Sequence, residues 1–570
     1  MAAPAIEWAA RAVHWLLGPE RPREGAPDEL LELGISRSAA AQTKTEARRA
    51  GARKPGHVWP RWIFLRALGL IYFSAFYSLL FQIKGLIGPN GLLPAGDFLQ
   101  AVSATIHSQR FWFAPSLFWL GSSDRALMLA CWIGAAASLL LVFNLWPRGM
   151  LVVCFVCFLS FVAAAQDFSG YQSDGMLLEA GFISLFFAPP GFRPGLGRGN
   201  APSRASLFLL QWEWFRIYFE SGAAKMASGD YSWRHFTAMD EYYQNGPLPT
   251  WIGWYVQHLP HWFHAMAVAF TLGIELGIVW LLFFPRRFRL ACFCIVTPFE
   301  ISIILTANYA FLNYIVFTLG FLLLDDRVIE WIAPQRIRSL VDTPQLPPSA
   351  AQPESRRARW RRRLTPARRS VAAICLGMVF YATTAQLAWM LSLGVWLPEA
   401  PVRWLNPSRI ANRYGLFAVM TPARYEIEFQ GSRDGKEWTA YPFRYKPQDL
   451  KTPPGIYAPY QPRFDWNLWF ASLGTWRDYR FVIWTEERLL KNEPDVLELF
   501  AGNPFAAGGP PLRVRSVIYQ YWFTDMKTKR EQGAWWRREP LGEYAPALER
   551  EPNGKIMVID EGEMAEPMRP

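Results

Sequence analysis

Long stretches without a charged residue constrain this chain more than any other feature of its sequence. The window from Ala126 to Leu145, ALMLACWIGAAASLLLVFNL, is uncharged over about 20 residues, enough for a helix to cross a hydrocarbon core of roughly 30 Å. Similar runs fill residues 60–330, whereas residues 1–60 and 398–570 have the composition of water-soluble sequence. The sequence therefore predicts an integral membrane protein that is in contact with lipid.

Glycine, proline and charged residues separate the apolar runs and divide the region into predicted spans. The predicted fold class is a polytopic α-helical membrane protein of about 8–10 spans with a C-terminal β-rich soluble domain. The predicted spans lie near residues 62–83, 125–146, 149–166, 174–189, 206–224, 262–285, 289–307, 309–324 and 371–396.

Basic residues gather in the loops on one side of this arrangement. They occur at 48–54, 146–149, 191–204, 286–289 and 356–369. Basic loops stay in the cytoplasm, so the N-terminus is predicted to be cytoplasmic and the C-terminal domain extracytoplasmic, in the periplasm for a bacterial inner-membrane protein. The basic run 356–369 lies beside a span, where it is interpreted as an orientation signal that binds anionic lipid. No nucleic-acid partner is predicted.

The same features give predicted domain boundaries. All six cysteines lie inside predicted spans, so no disulfide framework is expected in the soluble part. The predicted regions are a cytoplasmic N-terminal segment with an amphipathic helix (1–60), a multi-span membrane domain (61–330), a basic cytoplasmic loop (331–370), a last transmembrane helix (371–397), a β-rich extracytoplasmic domain (398–545) and a flexible tail (546–570).

Within the soluble domain, RYEIEFQGS alternates apolar and polar residues and precedes a turn around Asp434 and Gly435, which is a hairpin signature. Further strands are predicted at 480–484 and 513–524, with a short helix at 494–500. A small β-rich domain, arranged for example as a sandwich, is the expectation.

The segment FRIYFESGAAKMASGDYSW sets charges into an apolar span. Arg216 and Glu220 are i,i+4 and share one helical face, so they are predicted to pair inside the bundle. The pair either fixes helix packing or lines a polar cavity that opens to the outer face. Other charged residues in spans, Arg66, Glu179, Glu275 and Glu300, are expected to find partners in the same interior.

Lys225 is five residues beyond Glu220, about 140° around an ideal helix, so it points elsewhere. It lies at the predicted outer end of the span. The sequence favours a lysine that extends to the membrane interface as an anchor. The alternative is a buried base with a lowered pKa, which would make Lys225 catalytic, with Glu220 or Arg216 setting its environment.

Three histidines, His258, His261 and His264, follow a spacing of three in HLPHWFH. That spacing resembles a metal site, but Pro260 interrupts the helix and the region is rich in aromatic residues. An aromatic belt at the membrane surface is therefore the preferred interpretation, and neither a metal nor another cofactor is predicted.

The soluble domain contains FDWNLWFA, in which Asp465, Trp466, Trp469 and Phe470 stand close together. As a helix or a strand it presents a large apolar surface. That surface either docks the domain on the membrane part or remains exposed to bind unfolded clients.

Several long motifs together resemble the lipase maturation factor family, over about residues 65–475. The motifs are LRALGLIYFSAFYSLLFQIKGLIGPNGLLP (65–94), GYQSDGMLLEAGF (170–182), WFRIYFESGAAKMASGDYSWRHFTAMDEYYQNGPLP (214–249), HLPHWFH (258–264), NYAFLNY (308–314), NRYGLFAVMT (412–421) and YQPRFDWNLWFASLG (460–474). In animals this family is located in the endoplasmic reticulum membrane and helps dimeric lipases reach their active form.

The resemblance implies a maturation factor or chaperone without chemical turnover, whose clients are proteins such as secreted lipases. Trp233, Asp240 and Trp262 lie in or beside its motifs and become candidates for client binding or structural support. The cysteine-free tail and the basic segment at 335–370 depart from the family pattern. SGAAKMASGDYSW is also similar to the membrane domain of vitamin-K-dependent γ-carboxylase, which implies an enzyme with Lys225 as base. A transporter is the weakest alternative.

Overall fold

The computed structural model describes residues 56–332 and 356–559, with the backbone alone over 356–366. The predicted amphipathic helix near the N-terminus lies outside the described residues. So do most of the segment 331–370 and the end of the predicted tail.

Helices form most of the described chain before the soluble domain. In chain order they are α1 (Val58–Leu80), α2 (Ile83–Ile87), α3 (Ala95–Ile106), α4 (Arg110–Phe113), α5 (Asp124–Val142), α6 (Pro147–Ala164), α7 (Gln172–Phe187), α8 (Arg204–Ala227), α9 (Tyr231–Arg234), α10 (Tyr242–Asn245), α11 (Trp251–Gln257), α12 (His261–Leu276), α13 (Arg286–Thr306), α14 (Leu312–Gly320), α15 (Asp326–Ile332), α16 (Arg356–Met390) and α17 (Ala400–Leu405). Short 3₁₀ turns occur at His107–Gln109, Leu117–Trp119, Gln166–Ser169, Ile278–Phe283, Phe321–Leu323 and Asn406–Ser408.

Six helical segments in the described residues are long and apolar enough to cross a membrane. They are α1, α5, α6, α12 with its 3₁₀ extension, α13 and residues 367–390 of α16. The predicted spans at 174–189 and 309–324 correspond to α7 and the segment Leu312–Leu323, which are shorter. The polytopic helical fold class is confirmed.

The charged helix α8 lies at the centre of the bundle, in contact with α7, α12, α14 and α16. It begins at Ser203, whose side chain accepts a hydrogen bond from the Ser206 amide. Because protein surrounds it on several sides, α8 carries charges that a lipid-facing helix would not tolerate.

The predicted basic loops at 146–149 and 191–204 meet at one end of the bundle, where α1 begins. Arg61 donates a hydrogen bond to the carbonyl oxygen of Gly197 at 2.9 Å. The Trp146 amide donates to the carbonyl oxygen of Phe192 at 2.7 Å.

The soluble domain docks on the opposite end of the bundle, just beyond the end of α1. Gln82 donates a hydrogen bond to the carbonyl oxygen of Gln461 at 3.0 Å, and Asn308 donates to that of Gly455 at 2.9 Å. The basic loops at 146–149 and 191–204 and the soluble domain therefore lie at opposite ends, as the predicted topology requires.

One antiparallel sheet and several helices form the soluble domain. They are β1 (Arg424–Ser432), β2 (Thr439–Ala440), α18 (Arg463–Ala471), α19 (Phe481–Leu490), α20 (Pro494–Leu497), β3 (Arg513–Phe523), α21 (Met526–Gln532), β4 (Trp536–Arg550) and β5 (Ile556–Ile559). The strand order is β2-β1-β3-β4-β5, with all neighbours antiparallel. The predicted hairpin is confirmed by the pairing of Gln430 with Ala440.

Three details of the soluble domain differ from the expectation. The predicted strand at 480–484 is the N-cap Arg480 and the first turn of helix α19, because a short apolar run does not distinguish a strand from a buried helix. Helices α18 and α19 cover one face of a single sheet, so the sandwich is wrong. The sheet also continues beyond residue 545, where Leu548 pairs with Val558, in a segment assigned to a flexible tail.

The last membrane helix differs from the expectation as well. α16 begins at residue 356, so the basic run 356–369 is a helical extension of the span and not a loop.

Candidate functional site

The first charged cluster of α8 is closed on all sides by protein. Arg216 is fully buried and forms an ion pair with Glu179 of α7. The predicted partner Glu220 lies 3.7 Å from the Arg216 guanidinium, which confirms the same-face pair. Arg216 also donates to the carbonyl oxygen of Asn412 at 2.7 Å.

The chain that follows α17 completes this cluster. One oxygen of Glu179 accepts hydrogen bonds from the Asn412 amide at 2.9 Å and from the Tyr414 hydroxyl at 3.0 Å. The Tyr414 amide donates to Glu220 at 2.7 Å. Sequence reasoning missed these partners, although the motif NRYGLFAVMT contains them. The cluster joins the membrane bundle to the start of the soluble domain.

A second buried ion pair, between Arg463 of α18 and Asp174 of α7, also joins the soluble domain to the membrane bundle. Arg463 donates to both oxygens of Asp174 at 2.8 Å and to the carbonyl oxygen of Phe168 at 2.7 Å. Its backbone amide donates to Gln82 at 2.7 Å. The signal available in the sequence was a charged residue inside each of two apolar motifs, GYQSDGMLLEAGF and YQPRFDWNLWFASLG. The sequence did not predict that these two charged residues pair with each other.

The aromatic helix α18 packs against the membrane bundle. Trp466 stacks on Tyr171 with 5.0 Å between ring centroids, and the Tyr171 hydroxyl donates to Asn467 at 2.8 Å. The Trp469 indole donates to the carbonyl oxygen of Asn245 at 3.0 Å. Trp466 and Trp469 are buried, so α18 docks the two parts and does not offer an exposed client surface.

Asp465 and Phe470 belong to the same junction. Phe470 stacks on Tyr171 at 5.9 Å. Asp465 is buried and accepts backbone amide hydrogen bonds from Tyr445 and Lys446, both at 3.3 Å. Burial raises the pKa of the Asp465 carboxyl to about 6, against the opposing attraction of Lys446. We call the residues around Arg216 and Arg463, together with α18, the seam.

The outer loop candidates have three different surroundings. Trp233 is buried, and its indole donates to the carbonyl oxygen of Phe417 at 3.1 Å. Asp240 is half-buried and lies 3.0 Å from His261. Trp262 is 62% exposed. The structure therefore leaves Trp262, of these three, in position to contact a partner or lipid.

The three histidines do not converge on one point. His258 bonds to the carbonyl oxygens of Trp254 and Thr524, while His261 faces Asp240 at the surface. His264 is buried without a hydrogen-bond partner among the described residues. In the part of the chain that the structure describes, no group of three His, Cys, Asp or Glu residues could hold a metal ion.

Lys225 is buried, only 3% exposed, and the interpretation as an interfacial anchor is wrong. Its ammonium lies 2.8 Å from Glu275 of α12 and donates to the carbonyl oxygen of Leu416 at 2.9 Å. It also lies 5.0 Å from the centre of the Trp233 ring. The soluble domain and the outer loop cover the end of α8, which the sequence placed at the membrane surface.

Lys225 and Glu275 border a cavity of about 510 Å³ between α8, α12, α13 and α14. The lining is mainly apolar. A second polar point is Glu300, which accepts hydrogen bonds from the Tyr218 hydroxyl and from Asn313, the latter at 2.7 Å. Met266 and Phe270 of α12 line the cavity and are 63% and 51% exposed, so its rim lies on the outside of the bundle.

Comparisons with known proteins cover both parts of the chain. Residues 59–331 match the family model described as the lipase maturation factor transmembrane domain. Residues 410–546 match the lipase maturation factor C-terminal domain. No solved structure matches the chain.

Among curated proteins, the chain is 30% identical to lipase maturation factor 1 of Bos taurus, covering 87% of this chain and 90% of that protein. It is 29% identical to human lipase maturation factor 1, covering 94% and 97%. It is 30% identical to human lipase maturation factor 2, covering 86% and 82%. All three names refer to maturation, so the comparisons do not support the enzyme or the transporter alternative.

Proposed function

Because the chain belongs to the lipase maturation factor family, we propose that it is a membrane-embedded factor that assists the maturation of lipase-type secreted proteins. The observation that carries the proposal is the match of both family domains in one chain, at 59–331 and 410–546. The seam supports it further, because buried ion pairs and α18 hold these two domains together as one unit.

The proposed orientation places the N-terminus in the cytoplasm and the soluble domain on the extracytoplasmic side, where secreted clients fold. The positions of the basic loops and of the soluble domain at opposite ends of the bundle support this orientation. We retain the proposed boundaries of the membrane domain at 61–330, and we extend the soluble domain from 398 to 559 because strand β5 ends there.

The proposed client contact lies around the exposed aromatic residues of α11 and the start of α12. Trp251, Tyr255 and Trp262 have exposed rings on the side of the bundle that carries the soluble domain. An unfolded client offers apolar segments, and exposed aromatic side chains bind such segments with a small loss of side-chain entropy.

The test is rescue of lipase maturation. The full chain is expressed with a secreted lipase in animal cells that lack their own lipase maturation factor, and lipase activity per secreted lipase is measured. We expect activity to rise above the level of cells without the chain. An Asn-x-Ser acceptor site added after residue 559 reports orientation, since glycosylation requires a lumenal position.

A glycosylated, folded chain that leaves lipase activity unchanged would contradict the maturation function. An unglycosylated chain would contradict the orientation instead, so the two outcomes are separated.

A further inference from the structure

The cavity beside Lys225 opens toward the bilayer. Its rim includes Met266 and Phe270, which lie within the apolar membrane segment 261–283 and are exposed on the outside of the bundle. The Phe270 ring packs edge-on against Phe299 of α13, 6.0 Å away. A molecule that enters between α12 and α13 therefore comes from the hydrocarbon region and must itself be largely apolar.

The polar end of the cavity retains unused hydrogen-bonding capacity. The Lys225 ammonium has three N–H donors, and the described residues supply two acceptors, Glu275 and the carbonyl oxygen of Leu416. The second carboxylate oxygen of Glu275 is buried and has no donor among the described residues. One N–H of Lys225 thus has no oxygen acceptor among the described residues, although the Trp233 ring centre lies 5.0 Å from the ammonium, and one oxygen of Glu275 has no donor, at the edge of an apolar space.

The charge at this point is balanced. Lys225 and Glu275 are 2.8 Å apart and neutralise each other. An anionic head group would bring an unbalanced charge into a site of low dielectric constant, which is strongly unfavourable. A hydroxyl group accepts one hydrogen bond and donates another without adding charge.

We propose that the cavity binds an uncharged lipid from the bilayer, with a hydroxyl group between Lys225 and Glu275 and a hydrocarbon chain along α12 and α13. Monoacylglycerols have this chemistry. The volume of about 510 Å³ lies within the range of small-molecule sites, roughly 300–1,000 Å³. The inference goes beyond the proposed maturation function and does not depend on it.

The experiment uses the purified full chain in phosphatidylcholine nanodiscs with a photoactivatable monoacylglycerol that carries a diazirine in its chain. We expect labelled peptides from α12 between 263 and 275 and from α13 between 298 and 306. Unlabelled monooleoylglycerol competes, whereas oleate and phosphatidylglycerol do not.

A matched pair of variants tests whether the lipid binds in this cavity. Ala267→Phe fills the cavity, while Ala136→Phe makes the same change on the exposed face of α5. We expect labelling to fall by about tenfold or more in the first variant and to stay unchanged in the second.

Labelling confined to other helices would overturn the proposal, and so would equal labelling of the two folded variants. Competition by oleate as strong as that by monooleoylglycerol would refute an uncharged hydroxyl head. If Ala267→Phe does not fold, the peptide map and the competition series of the unaltered chain decide the question by themselves.

Discussion

The seam and the cavity both include a basic residue of helix α8 that is paired with a carboxylate, Arg216 at the seam and Lys225 at the cavity. The two places differ in what surrounds these charges. At the seam, Arg216 has two carboxylates and a carbonyl oxygen around it, and the soluble domain closes over them. At the cavity, Lys225 has one carboxylate, whose second oxygen is left without a donor in the described structure.

Charges inside a membrane protein can therefore have either of two roles. A buried ion pair that protein encloses on all sides contributes to the joining of two parts, and removal of one partner leaves an uncompensated charge. Both places have a carboxylate oxygen without a donor among the described residues, one on Glu220 and one on Glu275. Of these two carboxylates, Glu275 borders an open space in which a ligand can supply the missing donor. Four substitutions test this contrast between the seam and the cavity.

Arg216→Met is expected to have the largest effect. It leaves Glu179 and Glu220 buried without their cation, and we expect a loss of about 3–5 kcal/mol in the free energy of unfolding. Thermal unfolding in detergent measures it. The control is Arg204→Met at the exposed start of α8, and equal stability of the two variants would show that the seam does not hold the parts together.

Asp465→Asn should change how stability depends on pH. The folded pKa of about 6 is above the ordinary value of 3.8, so ionisation of Asp465 removes stability as pH rises between these two values. The variant lacks this loss, and its stability relative to the unaltered chain should increase by on the order of 3 kcal/mol from pH 4 to pH 7.

The control for this pH series is Asp525→Asn. Hydrogen bonds from the amide and the side chain of Thr528 lower the pKa of Asp525, which is exposed. Stability from Asp525 is present above its ordinary pKa and is lost as pH falls, so this variant should lose stability relative to the unaltered chain as pH rises. Parallel curves for the two variants would mean that Asp465 is not buried at the seam.

Lys225→Met should lower the free energy of unfolding less than Arg216→Met does, because it leaves one carboxylate without its cation and not two. We expect a loss of about 1–3 kcal/mol, together with a marked fall in labelling by the monoacylglycerol probe. A loss as large as that of Arg216→Met, with unchanged labelling, would remove the distinction between the seam and the cavity.

Trp262→Ala should have the smallest effect on stability, within about 0.5 kcal/mol, because the ring is 62% exposed. If the client contact lies here, rescue of lipase activity falls while the chain remains folded. Trp132→Ala is the matched control, since that ring is 60% exposed on α5. Equal rescue by both variants would exclude Trp262 from the client contact.

Local patterns predicted a good part of the fold and of the seam. The i,i+4 spacing of Arg216 and Glu220 predicted a pair that the structure contains, since neighbours on one helical face need no knowledge of the rest of the chain. The alternation in RYEIEFQGS and its turn predicted the first hairpin for the same reason. Patterns of this kind depend on residues within a few positions of each other.

Local sequence patterns gave wrong predictions where the burial or the secondary structure of a residue depends on distant segments of the chain. Lys225 was expected at the interface, but its partner Glu275 and the covering Leu416 come from 50 and 191 residues away. The run 480–484 was expected to be a strand, but it forms the start of a helix that packs on the sheet. Arg463 and Asp174 are 289 residues apart, and nothing in either motif specifies the other.

Local sequence was sufficient to predict that the chain crosses the membrane several times, that its charged spans face one another and that it resembles a family of maturation factors. These conclusions depend on hydrophobic length, helical spacing and extended motifs, which are properties of local sequence. Local sequence was not sufficient to predict which charges form the seam and which border the cavity. The reason is physical: the role of a buried charge depends on the groups around it, and those groups come from distant parts of the chain.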